Sequence, residues 1–99
     1  MRTLHLIEEA AQDLDDAADF YDRQEKGLGD RFHSTLLAEM RRLAPIAGSH
    51  RKRHGFHCYL SETFPYGVYY RVNDEVVAIY AILDLRRNPR ALSRVLSGR

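Results

Sequence analysis

The sequence predicts an α+β fold: an N-terminal strand, a helical hairpin, then a mostly antiparallel sheet of about four strands with a short C-terminal helix. Three observations carry this. Apolar residues recur in steps of three and four through the first half of the chain, the period of one helix face. A glycine pair, Gly27 and Gly29, interrupts that period once, as a tight connection does. From Phe56 onward β-branched and aromatic residues dominate, as they do in strands.

The elements follow in order. Thr3 to Ile7 is short, apolar and β-branched, and reads as a strand. Glu8 to Glu25 places Ala10, Leu14, Ala17 and Tyr21 on one helix face and Glu9, Asp13, Asp16 and Asp19 on the other. Acids in its first turn suit the positive end of the helix dipole. Lys26 to Asp30 forms the turn. A second helix runs to about Ala44, with Phe32, Leu36, Met40 and Leu43 on one face, and Pro45 stops it. Two amphipathic helices joined so tightly make an antiparallel hairpin. Ile46 to His54 is polar and basic, and reads as a loop.

Strands are expected near Phe56–Ser61, Phe64–Val72 and Glu75–Leu85. Asn73-Asp74 reads as a two-residue hairpin turn, since both types tolerate positive φ. That turn pairs Val72 with Glu75, Tyr70 with Val77, Val68 with Ile79 and Tyr66 with Ala81. One face then carries Val68, Tyr70, Val72, Val77 and Ile79 under the helices. The other carries Tyr69, Arg71, Val76, Ala78 and Tyr80. This second face is also apolar, so it is either a partner surface or the seat of the tail from Leu92 to Leu96. A slip of one residue would exchange the faces.

Composition bounds the rest. A chain of 99 residues implies one domain, residues 1–99, with a modest core. The longest apolar run, Val76 to Leu83, suits a buried strand and cannot span a bilayer. The first residues lack the pattern of a signal peptide, and the lone Cys58 fits a reducing compartment, so a cytoplasmic protein is expected. Net charge is +1, but residues 1–25 hold two basic against eight acidic residues and residues 26–99 hold thirteen against six. The basic remainder can face an acidic partner, a nucleic acid or an acidic protein segment. The alternative is a solvated acidic helix beside an ordinary basic surface.

Several constellations are candidates for chemistry. His50-Arg51-Lys52-Arg53-His54-Gly55-Phe56-His57-Cys58 offers three histidines and a cysteine, a set that can hold zinc. Three cations among them repel a metal, and the paired C-x-x-C spacing is absent, so no metal is expected. The run then contacts phosphate or an acidic protein, or is a solvated loop. His57 is of the residue type that serves as a general base at neutral pH, but no partner acid is apparent in the sequence, and the alternative is a structural histidine. Arg86 and Arg87 leave a strand end, where a guanidinium grips phosphate or carboxylate or simply pairs with Asp84. Tyr66, Tyr69, Tyr70 and Tyr80 can stack bases or a partner helix. Tyr70 fits the core, and Tyr69 and Tyr80 fit an interface.

The ordered set Gly27-Leu28-Gly29, Phe32, Phe64-Pro65-Tyr66, Tyr70, Asn73-Asp74, Val76 to Ala81, and Arg86-Arg87-Asn88-Pro89 with Arg94 resembles the RelE/ParE toxins of type II toxin–antitoxin systems. The resemblance covers nearly the whole chain. It implies a compact toxin neutralised by a cognate antitoxin that wraps its sheet and helical hairpin, with a higher-order assembly as a common outcome and no cofactor. RelE-like members cut mRNA on the ribosome; ParE-like members poison DNA gyrase by protein contact. The nuclease branch implies lysines near Cys58 and Leu60, an arginine at Gly67, an arginine at Arg86 and a tyrosine near Leu92, and only Arg86 matches. The ParE-like branch is therefore expected, with Arg53, Tyr69, Arg71, Tyr80, Arg86, Arg87 and Arg94 as binding residues. A ribosome-dependent ribonuclease using Arg86, Arg53 and His57 is the alternative, and a member that only binds its partner is a third.

Overall fold

The structure, a computed structural model, describes residues 2–99. Strand β1 (Thr3–Leu6) leads to helices α1 (Glu8–Gln24) and α2 (Leu28–Leu43). After a 3₁₀ turn at Ala44–Ile46 come β2 (Lys52–Arg53), β3 (Phe56–Leu60), β4 (Tyr66–Asn73), β5 (Val76–Asp84) and helix α3 (Pro89–Ser97). The five strands lie in the order β1-β5-β4-β3-β2. Every neighbouring pair is antiparallel except β1 with β5. The expected architecture stands, with one more strand: β2 rises from the segment read as a loop.

The helical hairpin closes around its glycines. Gly27 takes φ +88°, and a Cβ on Gly29 would lie 2.3 Å from the Ala18 carbonyl oxygen. Only glycine allows α2 to start so close to α1. Asp22 of α1 accepts from the backbone N–H groups of Gly27 at 2.9 Å and Gly29 at 3.2 Å. It supplies from outside the helix the cap that a side chain at the first position usually gives. The faces then meet the sheet as the periodicity predicts: Ala10, Leu14, Phe32, Leu36 and Met40 pack on Val68, Tyr70, Val77 and Ile79.

The β4–β5 register differs from the expected one. Asp74 and Glu75 form the turn, so Asn73 pairs with Val76, Val72 with Val77 and Tyr70 with Ile79. Asp74 takes φ +54°, and Asn73 stays in the strand. The shift is two residues, so each face keeps its expected members. Beyond it Tyr69 pairs with Ala81 and Val68 with Ile82, which leaves Tyr80 as the extra residue of a β-bulge.

The second sheet face has internal cover over much of its area. Leu92 and Leu96 of α3 pack on Phe56, Cys58, Tyr69, Ala81 and Leu83. Of the two sequence readings, a partner surface or a folded tail, the tail occupies this part of the face. It starts where Asn88 caps α3, accepting from the Arg90 N–H at 2.8 Å, with Pro89 at the first helical position.

Candidate interaction surfaces

The motif Phe64-Pro65-Tyr66 builds one end of the sheet. The Phe64 and Tyr66 rings join Tyr21 and Phe32 in an aromatic cluster with centroids 4.9–6.1 Å apart, a spacing that favours tilted and edge contacts. The Pro65 carbonyl accepts from Leu85 N–H at 2.9 Å. Behind the motif lies the one fully buried acid among the described residues, Glu39 of α2. It accepts hydroxyl hydrogens from Tyr59, Ser61 and Thr63, each at 3.2 Å. Burial and this carboxylate push the Tyr59 hydroxyl up to about 12. Glu39 ties α2 to the β3–β4 turn, a role its place in a helix repeat does not betray.

At this same end, the β5 exit carries the cations. Arg86 makes a paired contact with Asp84, at 3.0 and 2.9 Å, and this holds the Asp84 carboxyl below its ordinary value. Arg87 turns the other way, onto a cleft of about 250 Å³ shared with Asp13, Asp16, Phe20, Tyr66 and Asp84. The side chains of Arg87, Arg90 and Arg94 are exposed and make no hydrogen bond or ion pair with the described residues. Of the two arginines at the strand end, one is spoken for and one is free.

The other end of the sheet holds Arg53, Arg71 and Tyr80. The Arg71 guanidinium lies 4.1 Å over the Phe56 ring and 5.2 Å from that of Tyr80, a cation–π arrangement. Arg53 sits beside the β2–β3 turn and is exposed. Tyr69 is 2 % exposed beneath α3, so it faces no solvent while α3 is docked. His57 stacks on Tyr70 with 25° between the rings, and its Nδ1 donates to the His50 carbonyl at 2.7 Å. Tyr70 is fully buried, and its hydroxyl takes the Gly48 N–H at 3.0 Å and meets His50 Nδ1 at 2.6 Å.

The three residues of the nuclease alternative are not brought together. His57 pairs with Tyr70 and Asp84 with Tyr66; four strand residues separate those points, roughly 13 Å. Arg86 lies beyond Asp84, and Arg53 lies beyond His57 in the opposite direction. Cys58, at one lysine position of the nuclease branch, and Leu92, at its tyrosine position, are packed in one apolar cluster, while Leu60, at the other lysine position, is apolar and 47 % exposed. A Cβ on Gly67 would meet Leu85 Cδ2 at 3.0 Å, Cys58 Sγ at 3.1 Å and Tyr69 Cε1 at 3.2 Å. Among the described residues no group of three or more His, Cys, Asp or Glu side chains can hold a metal ion. No helix among them is long and apolar enough to cross a membrane.

A strand, a helical hairpin and an antiparallel sheet capped by a short basic helix define a small α+β protein whose cations crowd the two ends of its sheet. The same fold is found in a solved structure described as the chromosomal ParDE TA system from P. aeruginosa. It superposes with a TM-score of 0.76 at 21 % identity over 86 % of this chain and 97 % of that one. The model of the ParE toxin family, the ParE toxin of the type II toxin–antitoxin system parDE, matches residues 4–89, and the chain belongs to that family. A search of curated proteins gives no match.

Proposed function

We propose that this chain is the toxin of a two-component module, that it inhibits a DNA topoisomerase such as gyrase by protein contact, and that a cognate antitoxin neutralises it. The family match supports the toxin role. One observation supports contact over RNA cleavage: two of the nuclease cation positions, Cys58 and Gly67, and the tyrosine position, Leu92, are packed among apolar neighbours, and the remaining lysine position holds the uncharged Leu60. Cleavage needs a base, an acid and phosphate-stabilising cations within reach of one scissile bond. A packed apolar layer supplies none of them. The free arginines of the β5 exit and α3, Arg87, Arg90 and Arg94, then contact the target. The antitoxin is expected on the helical hairpin, where Phe20 stands 40 % exposed beside the cleft.

The test expresses the chain with and without its neighbouring gene, and assays gyrase supercoiling alongside primer extension on translated mRNA. Inhibited supercoiling with intact mRNA is the expected result, weakened at least about ten-fold by Arg87→Ala with Arg94→Ala if each removes a charge-assisted contact. Cuts at ribosomal A-site codons would sink this reading in favour of the nuclease. Growth unaffected in both cases would point to a member that only binds its partner.

A further inference from the structure

We infer that the β2–β3 hairpin and Arg71 form a binding surface for single-stranded nucleic acid, separate from the Arg86–Arg94 segment and not dependent on the topoisomerase reading. The first observation is charge. From Met40 to Ser61 the chain holds no Asp or Glu, while Arg51, Lys52 and Arg53 stand in a row. Those three and Arg71 are exposed, and none forms an ion pair with a described residue. Cations with no internal partner raise the local potential and draw a polyanion.

The second observation is rigidity. His54 and Gly55 both take positive φ, 55° and 83°, the conformation of a tight two-residue turn between paired strands. Arg53 pairs with Phe56 and Lys52 with His57 across that turn. The cations are therefore fixed on a β-ribbon at the outer edge of the sheet. Lys52, His57 and Arg71 line one concavity of about 200 Å³ with Val72 and Asn73, and no acid enters it.

The third observation chooses the ligand. The Arg71 guanidinium carbon is held 4.1 Å over the Phe56 ring and 5.2 Å from that of Tyr80, and its Nε donates to the Gly55 carbonyl at 3.4 Å. Arg71 is exposed. A planar cation held in place is a platform on which an unpaired base stacks, and the adjacent cations take the phosphates on either side. An acidic peptide would use the charges and leave the platform idle. A duplex keeps its bases stacked inside and would likewise ignore it.

The probe is a fluorescein-labelled twelve-residue oligothymidine, followed by anisotropy with the purified full chain at low salt. Arg71→Lys keeps the charge and loses the plane, and is expected to weaken binding about ten-fold, the order of one lost base-stacking contact. Arg51→Ala with Lys52→Ala and Arg53→Ala is expected to flatten the dependence of affinity on salt by about two in log–log slope, as three lost phosphate contacts would. Arg41→Ala with Arg42→Ala removes charge from the end of α2 and is expected to change affinity less than about two-fold. Thermal melts establish that each variant is folded. The proposal is overturned if the oligonucleotide does not bind, if Arg71→Lys binds as tightly as the unaltered chain, or if polyglutamate competes as well as oligothymidine.

Discussion

Gly67 shows how one residue can carry both a family signature and a packing constraint. Its absent side chain lets β4 approach Cys58, Tyr69 and Leu85 at about the limit of contact. Gly67→Ala should force those neighbours apart and cost about 1–3 kcal/mol, the usual cost of overpacking. Gly67→Arg, which restores the nuclease-branch residue at this position, should leave too little room for folding and yield no RNA cleavage. Urea denaturation measures the first, and soluble expression with primer extension measures the second; a stable, cleaving Gly67→Arg chain would contradict both expectations. The sequence marks this glycine as a departure from the nuclease pattern. It cannot show why a glycine is needed, because Leu85 and Cys58 lie far from it along the chain or on another strand. Asp84 is the reverse case: two residues from Arg86, it was legible as that arginine's partner.

At the scale of elements, the clasp on α3 was the least legible feature. Asp13 falls on the acidic side of the α1 repeat and reads as solvated. In the structure it accepts from the Ile82 N–H at 3.1 Å and from both terminal nitrogens of Arg99, at 2.7 and 2.9 Å. Arg99 also donates to the Tyr80 carbonyl at 2.8 Å. These two backbone groups lie past the end of the β1 pairing, which stops at Ile79, beside the bulge at Tyr80, and nothing in the run Val76–Leu83 announces a bulge. The partners lie 69 and 86 positions apart, beyond any local rule. The pair is largely withdrawn from water, with side chains 16 % and 13 % exposed, so removing one member strands the other. Asp13→Ala should destabilise by about 2–3 kcal/mol, and Asp13→Asn by less, because its amide oxygen still accepts from Ile82. A double-mutant cycle with Arg99→Ala should return a coupling of about 1–2 kcal/mol. Additive effects within about 0.5 kcal/mol would show that the clasp does not act as a unit. By contrast, the helical hairpin was readable throughout, since each of its signals, the period, the glycines and Pro45, is local.

Across the whole molecule, charge is divided between an acidic α1 and two basic sheet ends. The division was plain in the sequence; which cations share an end was not, since that depends on strand register. The balance of protonation at these places sets how stability varies with pH. His50 is held below its ordinary value of 6.5 by burial and by His57. With His50 neutral, Tyr70 donates its hydroxyl hydrogen to His50 Nδ1 while accepting from Gly48, and a proton on that nitrogen removes the acceptor. The unfolded chain binds this proton first, so stability is full above pH 6.5 and declines as pH falls from there to the lower folded value. Asp84 repeats the sign at lower pH: its carboxyl, held down first by the Arg86 hydrogen bond, contributes above its ordinary 3.8 and loses that contribution as pH falls below it. Arg86 is more than half exposed, so salt should shrink the second step. Urea midpoints between pH 8 and pH 3 should therefore fall in two stages. His50→Gln should erase the upper stage and leave the lower, and Asp84→Asn should do the opposite. A midpoint that rises between pH 6.5 and pH 5 would reverse the sign argued for His50.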